Sequence, residues 1–387
     1  MLIAYEYTKI ERVINMPPVS LLIKPASSLC NIRCKYCFYH SIAENRQTES
    51  YGIMTVDLLE IMVKKALEYA DHACTFAFQG GEPTLAGLDF FKKLIELEKK
   101  YNTKKVQINN ALQTNGIVID EEWAKFLHEN NFLVGLSLDG PKDIHDANRV
   151  DARDTGTFNK VMHTVELFNK YKVEYNILFV VNGYVARHAS KIYNFFKKHN
   201  FRYLQFIPCL DALHEQPGEN EFSLKPERFT YFLKSLFDLW YEDIVKGDMI
   251  SIRYFDNLVG MFMGYRPEAC GMTGICQCQF VVEADGGVYP CDFYVIDQWH
   301  LGNIQDKSLE ELRSSENGQK FIEDSKHVDP KCRECKWLNL CRGGCRRSRE
   351  PFVEGKPALN YYCPSYMEFF EYAAPKMQKI ATMLSRR

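Results

Sequence analysis

The chain lacks any apolar run that approaches the length of a membrane-spanning helix, and it has almost no net charge. Such a helix needs about 20 consecutive apolar residues, and the first sixteen residues lack the order of a signal peptide. The 48 basic and 50 acidic residues give a formal charge of -2, so no general field attracts nucleic acid or an anionic membrane. The sequence therefore predicts a cytoplasmic protein that binds neither nucleic acids nor membranes.

Internal repeats and low-complexity tracts are also lacking, which excludes a solenoid, but cysteine is plentiful, with 14 residues in a chain of 387. In a small secreted domain this number would indicate disulfides. Thiols stay reduced in the cytoplasm, however, and clustered cysteines there indicate metal binding. Cys74 and Cys209 lie apart from the clusters in apolar strand patterns, so we expect them to be buried core residues with no role in the chemistry.

Short apolar, β-branched runs alternate with longer amphipathic stretches from Ser20 to about Leu210. This alternation predicts six βα units, and hence a parallel sheet with helices outside it, either doubly wound or an open barrel. A long helix is predicted from Pro226, and a hairpin from Phe280 that turns at Gly286. The expected strands are SLLIKPA from Ser20, CTFAFQ from Cys74, KVQINNALQ from Lys105, FLVGLSL from Phe132, VEYNILFVV from Val173 and YLQFIP from Tyr203.

Polar and glycine-rich segments follow the first four expected strands. They are the loop of Cys30, then residues 80–83 (GGEP), 113–116 (QTNG) and 137–140 (SLDG). In folds of parallel strands the loops at the carboxyl ends converge on one face and carry the chemistry. We therefore expect these four segments to meet.

The first cysteine motif reads Cys30-x3-Cys34-x2-Cys37. Three thiolates leave one iron of a cubic cluster open, as in a reactive rather than a closed structural site. The spacing resembles the signature of the radical S-adenosylmethionine superfamily. The resemblance implies that the methionyl amine and carboxylate of the cofactor chelate the open iron, and that an electron from the cluster cleaves the sulfonium to give a 5′-deoxyadenosyl radical.

The resemblance extends to residues around that loop. It places the aromatic ring of Tyr36 near the adenine, and Ser137 near the ribose or methionyl group. Alternatively, Tyr36 is simply packed, Ser137 is a turn residue, and the three cysteines bind structural zinc with a distant fourth ligand. The GGEP motif of the superfamily holds the methionyl amine through its backbone and glutamate. The full set of cofactor contacts implied by the resemblance is Tyr36, Gln79, Gly80, Gly81, Glu82, Ser137 and Leu210.

Nine further thiols follow residue 269. Two closed four-thiolate sites need eight of them, which leaves Cys278 without a role. The pattern resembles the SPASM extension of peptide-modifying radical enzymes, although a zinc ribbon also contains C-x2-C pairs. The resemblance implies two auxiliary 4Fe-4S clusters, one held by Cys270, Cys276, Cys291 and Cys345 and the other by Cys332, Cys335, Cys341 and Cys363.

Longer stretches narrow the resemblance to the anaerobic sulfatase-maturating enzymes, from about Met16 to Ala374. This family oxidises a cysteine or serine in a Cys/Ser-x-Pro/Ala-x-Arg motif of a sulfatase to Cα-formylglycine. The resemblance makes Asp292 the base, although an aspartate there could also cap a turn, and places Gln79 and Tyr39 beside the substrate. The stretches are PPVSLLIKPASSLCNIRCKYCFYH, FAFQGGEPTLAGLDFF, LQTNGIVIDEEWAKFL, NFLVGLSLDGPKDIHDANR, QFVVEADGGVYPCDFYV and CRGGCRR.

The resemblance implies a partial (β/α)6 TIM-type barrel followed by a small cysteine-rich SPASM domain, three 4Fe-4S clusters, S-adenosylmethionine, and a flavodoxin or ferredoxin as reductant. We expect a monomer. Two alternatives remain: another SPASM enzyme that forms a thioether or decarboxylates a precursor peptide, and a non-catalytic electron carrier. The expected divisions are an N-terminal extension (1–16), the radical S-adenosylmethionine barrel (17–225), a helical bridge (226–269), the SPASM domain (270–375) and a C-terminal tail (376–387).

Overall fold

The computed structural model describes residues 18–385, so the predicted N-terminal extension lies outside the described residues. Most of the described strands belong to one large sheet. The strands are β1 (Val19–Ile23), β2 (Arg33–Cys34), β3 (Ala73–Phe78), β4 (Gln107–Thr114), β5 (Leu133–Ser137), β6 (Arg149–Val150), β7 (Glu174–Val181), β8 (Tyr203–Pro208), β9 (Ser251–Ile252), β10 (Val281–Val282), β11 (Gly287–Tyr289) and β12 (Gly302–Asn303).

The helices follow the strands in alternation up to β8 and then dominate the rest of the chain. The α-helices of the described residues are α1 (Phe38–Glu44), α2 (Val56–Tyr69), α3 (Leu88–Tyr101), α4 (Glu121–Glu129), α5 (Lys142–Asn148), α6 (Phe158–Tyr171), α7 (Ala189–Lys198), α8 (Pro226–Lys246), α9 (Arg253–Phe262), α10 (Leu309–Arg313), α11 (Glu316–Ser325), α12 (Pro330–Arg333), α13 (Leu338–Cys341) and α14 (Cys363–Ser385).

The large sheet has ten strands in the order β12-β11-β10-β1-β3-β4-β5-β7-β8-β9. Its six central strands are parallel to one another and are the six predicted from the sequence, namely β1, β3, β4, β5, β7 and β8. The short β9 adds a further parallel strand beside β8. The strands β2 and β6 form a separate antiparallel pair. The predicted mostly parallel α/β fold is confirmed.

The alternation of side chains along β3 shows why these strands pack under helices. Cys74, Phe76 and Phe78 point to one face and are buried there. The ring of Phe78 lies 4.9 Å from that of Phe91 on α3, in an edge-to-face contact. Helix α2 begins where the side chain of Thr55 accepts a hydrogen bond from the amide of Leu58. Cys74 and also Cys209 are core residues, as predicted.

The cysteine-rich part of the chain continues the same sheet. Strand β10 pairs in parallel with β1, because the amide of Leu22 donates to the carbonyl of Phe280 (3.1 Å) and that of Lys24 to Val282 (2.9 Å). The predicted hairpin between β10 and β11 is present. Gly286 has a φ of +87° at the turn, a conformation that favours glycine. The division at residue 270 therefore does not interrupt the sheet.

Helix α14 packs against α8 and α9 on the outside of the sheet, with the rings of Phe237 and Phe369 5.6 Å apart. The predicted boundary between the SPASM domain and a C-terminal tail falls inside this helix, which continues to Ser385 and buries Met377 and Ile380. The predicted bridge contains α8 and α9. None of the described helices combines the length and the apolar character needed to cross a bilayer.

A buried ion pair also joins the two parts of the chain. Arg46, just after α1, binds Glu283, just after β10, and their side chains are 1% and 0% exposed. Replacing Arg46 by Met leaves a buried, unpaired carboxylate, which we expect to destabilise the fold by about 3–5 kcal/mol. Adding Glu283→Leu should recover much of that loss. Thermal unfolding of the cluster-loaded protein measures both effects.

Lys92 provides the control for this prediction, because its ion pair with Glu122 is largely exposed. We expect Lys92→Met to change the stability by about 0–1 kcal/mol. If Arg46→Met cost no more than Lys92→Met, the buried pair would not hold the two parts together.

Candidate active site

The carboxyl ends of β1, β3, β4 and β5 bring the four polar segments to one edge of the sheet, as predicted. Cys30 lies in the loop after β1, Cys34 ends β2, and Cys37 immediately precedes α1. Loss of hydration raises the pKa of Cys30 to about 11 and that of Cys34 to about 12, although Cys30 keeps an exposed surface, and the charge of Cys37 adds to both shifts. Thiols so placed become stable thiolates when a cation compensates them.

The GGEP loop packs directly on the backbone of the cysteine loop. The amide of Gly81 donates to the carbonyl of Ser27 (3.0 Å), and the amide of Glu82 donates to that of Leu29 (2.7 Å). A Cβ atom on Gly81 would overlap the Leu29 carbonyl. Gly80 has a φ of +132°, which other residues rarely adopt. Gly81 is therefore required by the close approach of the two loops, and Gly80 by its backbone conformation.

The carboxylate of Glu82 is buried and accepts several hydrogen bonds from the protein. Its donors are the amide (3.1 Å) and hydroxyl (2.6 Å) of Thr84, the hydroxyl of Thr114 (2.7 Å) and the amide of Asn115 (2.7 Å). Burial raises the pKa of Glu82 above its usual value, and these bonds oppose that shift. The side chain thus ties the GGEP loop to the end of β4, while the loop's contact with the methionyl amine stays a prediction.

The other predicted cofactor contacts lie along the same edge of the sheet. Ser137, at the end of β5, accepts a hydrogen bond from Nε2 of Gln113 (3.1 Å). Leu210 follows β8 by two residues and is partly buried. The hydroxyl of Tyr36 donates to Asp139, and its ring is packed rather than free. Contact of these three residues with the cofactor remains a prediction.

Asp292 is the centre of a second group of polar side chains. Its Oδ2 accepts hydrogen bonds from the hydroxyl of Tyr39 (2.6 Å) and from Nε2 of Gln79 (3.2 Å), and Nζ of Lys24 lies 3.6 Å from its Oδ1. The side chain is buried, and Oδ1 has no hydrogen-bond partner. A buried carboxylate oxygen without a donor is costly, which suggests a place for a ligand donor. The group also contains the two residues predicted to lie beside the substrate.

The thiols after residue 269 form two sets. Burial raises the pKa of Cys270 to about 12, with Cys345 and Cys276 as further causes. Burial also raises the pKa of Cys291, and the charges of Cys345 and Cys270 add to it. The thiols that influence one another in this way are those of the first set that the resemblance implies, and their role as ligands of one cluster stays a prediction.

The second set consists of the thiols near α12, α13 and the start of α14. Burial raises the pKa of Cys341 to about 11, and the charges of Cys363, Cys332 and Cys335 contribute. The pKa of Cys363 is raised by burial and then by Cys332 and Cys335. Cys332, Cys335, Cys341 and Cys363 thus influence one another as members of the second predicted set, and their role as cluster ligands stays a prediction. Burial raises the pKa of Cys278, and no other cysteine contributes to that shift.

The arrangement of the cysteine thiols can be compared with the coordination geometry that zinc and iron-sulfur clusters require. A tetrahedral zinc site needs ligands within about 2.3 Å of one point. Within residues 18–385, no three histidine, cysteine or acidic side chains converge closely enough to hold a single metal ion. In an iron-sulfur cluster, by contrast, each thiolate binds a different iron.

Two residues that the sequence analysis did not single out also contact the first cysteine motif. Nδ2 of Asn115 lies 3.8 Å from Sγ of Cys30, and Nη1 of Arg149 lies 3.7 Å from Sγ of Cys34. Asn115 belongs to the QTNG segment that was predicted to join the site, which was a usable signal. Arg149 lies beyond a helix and had no local signal.

Comparison with known families agrees with this geometry. A model of the radical SAM (S-adenosylmethionine) superfamily matches residues 25–196, and a model of an iron-sulfur cluster-binding domain, SPASM, matches residues 270–336. The fold and its thiol sets therefore define a radical S-adenosylmethionine enzyme with an auxiliary iron-sulfur domain. This excludes the zinc alternatives and the non-catalytic electron carrier.

The relatives define the family more closely. The chain is 58% identical to a cysteine-type anaerobic sulfatase-maturating enzyme of Clostridium perfringens, over 95% of this chain and 99% of that one. It is 34% identical to a serine-type enzyme of Bacteroides thetaiotaomicron, over 93% and 90% of the two chains. The chain belongs to the family of anaerobic sulfatase-maturating enzymes, which confirms the resemblance.

Solved structures show the same relationship. The structure of native anSMEcpe with bound AdoMet and Cp18Cys peptide is 56% identical, has a TM-score of 0.92, and is matched over 95% of this chain and 100% of that one. A structure of Streptococcus suis SuiB bound to S-adenosylmethionine, at 16% identity and a TM-score of 0.63, shares the fold alone.

The contact of Gly81 with the cysteine loop gives a test of the site. In Gly81→Ala the added methyl group must displace the Leu29 carbonyl, at a cost of about 1–3 kcal/mol for such overpacking. We expect S-adenosylmethionine to bind about tenfold more weakly, a loss of about 1.4 kcal/mol, which equilibrium binding to the reconstituted protein measures. The control is Gly260→Ala in α9, where a Cβ meets only ordinary contacts. Equal affinities for the two variants would contradict the requirement for glycine.

Proposed function

We propose that this chain oxidises a cysteine of a sulfatase to Cα-formylglycine. The observation that carries the proposal is the buried carboxylate of Asp292, beside Cys291, with Oδ1 free of hydrogen-bond donors. The cysteine preference is supported by the relatives, since those named cysteine-type are 50–58% identical and those named serine-type are 28–34% identical.

The two carboxylate oxygens of Asp292 have different surroundings and therefore different roles in the proposed reaction. Tyr39 and Gln79 donate to Oδ2 and hold the carboxylate in one orientation. Lys24 lies on the Oδ1 side at 3.6 Å, beyond hydrogen-bond distance, and its ammonium also lies 4.2 Å from the ring centre of Tyr39. Oδ1 is thus the atom that accepts a hydrogen bond, and then the proton, from the substrate thiol.

The reaction balances as a two-electron oxidation of the substrate. The cluster and S-adenosylmethionine, when bound, supply the radical that removes one hydrogen atom from the substrate Cβ. Asp292 takes the thiol proton, and the remaining electron would pass to the iron-sulfur cluster that the thiol set containing Cys291, directly before the base, would hold. The resulting thioaldehyde adds water and releases hydrogen sulfide to give the aldehyde.

We also propose three 4Fe-4S clusters, one at each thiol set, with a flavodoxin or ferredoxin as reductant and a sulfatase Cys-x-Pro/Ala-x-Arg segment as substrate. The enzyme would act in the cytoplasm as a monomer. With three clusters and Cys278 outside all the predicted sets, the proposal makes a specific prediction about the iron content of variants.

Replacing Cys30, Cys34 and Cys37 together by Ala should remove one third of the bound iron and sulfide, because one of three equal clusters loses its ligands. Cys278→Ala is the matched control and should leave the iron content unchanged. Iron and sulfide analysis after anaerobic reconstitution measures both. A loss of half the iron in the triple variant would mean two clusters, and loss of iron in Cys278→Ala would make that thiol a ligand.

The function is tested by incubating the reduced enzyme with S-adenosylmethionine and a peptide carrying the sulfatase motif. We expect the cysteine peptide to yield formylglycine and deoxyadenosine, and to outcompete the corresponding serine peptide. In Asp292→Asn the single amide oxygen can still accept the bonds from Tyr39 and Gln79, but the base is lost, so deoxyadenosine should persist while formylglycine formation falls on the order of 100-fold. Mass spectrometry and chromatography measure the two products.

Asp297→Asn is the control for Asp292→Asn, because Asp297 is exposed and lies five residues further along the same segment. It should retain full product yield. Deoxyadenosine without any change in peptide mass in the unaltered enzyme would discard the proposed substrate, and unchanged yield in Asp292→Asn would discard the proposed base.

A further inference from the structure

Two of the three cysteines in the first motif accept a hydrogen bond from a buried polar side chain. Nδ2 of Asn115, after β4, donates to Sγ of Cys30 (3.8 Å). Nη1 of Arg149, on β6, donates to Sγ of Cys34 (3.7 Å). Distances of this length are normal for N–H···S contacts, because sulfur is larger than oxygen. The donors come from two different elements of the fold.

Arg149 is held so that one nitrogen faces the thiol. Its Nε and Nη2 donate to the carboxylate of Asp139 at 3.0 and 3.2 Å, and Asp139 is fully buried. The pairing of β2 with β6 sets Cys34 opposite Arg149 in the backbone. The guanidinium also lies 5.5 Å from the ring centre of Tyr36. Nη1 is therefore the nitrogen left to donate to Cys34.

Asn115 is held equally firmly. Its backbone amide donates to Glu82 (2.7 Å), and its Oδ1 accepts from the amide of Ile117 (3.0 Å). These bonds orient the side-chain amide so that Nδ2 faces Cys30, where it also donates to Oδ1 of Asn31 (2.7 Å). The amide orientation thus follows from the bonds that surround it.

Donors aimed at the sulfur ligands favour the more negative state of a cluster. The reduction potential of an iron-sulfur cluster depends on its net charge, on hydrogen bonds to its sulfurs and on its exposure to solvent. Both donors are buried, with Asn115 6% and Arg149 7% exposed, so water screens them little. The reduced cluster holds one more electron than the oxidised one, and it gains more from these donors.

We propose that Asn115 and Arg149 are positioning residues that raise the reduction potential of the cluster at Cys30, Cys34 and Cys37. They do so through N–H···S bonds to two of its three ligands. The step they favour is the transfer of one electron from a flavodoxin or ferredoxin to the oxidised cluster, with no bond made or broken. The inference rests on the cluster that the family holds there and is independent of the identity of the peptide substrate.

The experiment is a potentiometric titration of the full, cluster-loaded enzyme, followed by electron paramagnetic resonance. The signal that changes when S-adenosylmethionine is added belongs to this cluster, and the auxiliary clusters provide an internal reference. Asn115→Asp keeps the acceptor for Ile117 but removes the donor to Cys30. We expect a reduced fraction at least about tenfold smaller at a fixed potential, which is a midpoint about 59 mV lower for a one-electron couple.

Two further variants separate the causes. Asn115→Ser removes the amide donor without adding charge, because the serine hydroxyl ends one bond short of Nδ2, and it should lower the midpoint by less than Asn115→Asp. Arg149→Lys keeps the positive charge opposite Asp139 but loses the planar fork, and should also lower the midpoint. Asn109→Asp, on the exposed face of β4, makes the same change in charge away from the cluster and should leave the midpoint unchanged.

Iron and sulfide contents decide whether the variants retain their clusters. The proposal is overturned if Asn115→Ser and Arg149→Lys keep their clusters and the midpoint does not move. It is equally overturned if the auxiliary midpoints move by the same amount, or if all the variants at Asn115 and Arg149 lose iron, because the residues would then only hold the loop in place. A selective fall at the first cluster supports it.

Discussion

The parallel pairing of β1 with β10 is the constraint on which the rest of the site depends. Strand β1 leads directly into the cysteine loop, and β10 begins the hairpin that ends near Cys291 and Asp292. The bond from the amide of Lys24 to Val282 fixes the two strands in register just before both reach the active edge. A shift of one residue would reverse the faces of the side chains and separate Asp292 from Lys24 and its other partners.

At the same end of the sheet, the GGEP loop and the cysteine loop pack closely because a glycine lies at their contact. Gly81 lets the GGEP loop lie against Leu29, and the carboxylate of Glu82 uses its oxygens on Thr84, Thr114 and the amide of Asn115. This backbone contact and this buried carboxylate fix the loop before any ligand binds. A preorganised loop loses less conformational entropy when the cofactor binds. It also keeps the geometry of the site fixed around a reactive intermediate.

Much of this arrangement was predictable from local patterns. The six parallel strands follow from alternating apolar runs, and the ligand sets follow from cysteine spacing together with the family resemblance. The pairing of β10 with β1 was not predictable, because two valines carry no signal for a partner far away in the chain. Arg149 reaches Cys34 only through the β2 and β6 pairing, and the Arg46 contact with Glu283 spans a similar distance. Long-range contacts of this kind depend on tertiary packing, which composition and periodicity do not specify.

Fixed positive charges lie near the thiol set that contains Cys291. Burial raises the pKa of Cys276, while a hydrogen bond with Ser325 and the charges of the buried Arg346 and Arg349 lower it. Arg349 is fixed by the carbonyls of His327 and Ser325 (both 3.0 Å), so its charge cannot swing away. Fixed positive neighbours would favour the reduced state of a cluster held here. In the proposed reaction the base, Asp292, directly follows Cys291, so the proton and the electron removed from the substrate would leave next to one another.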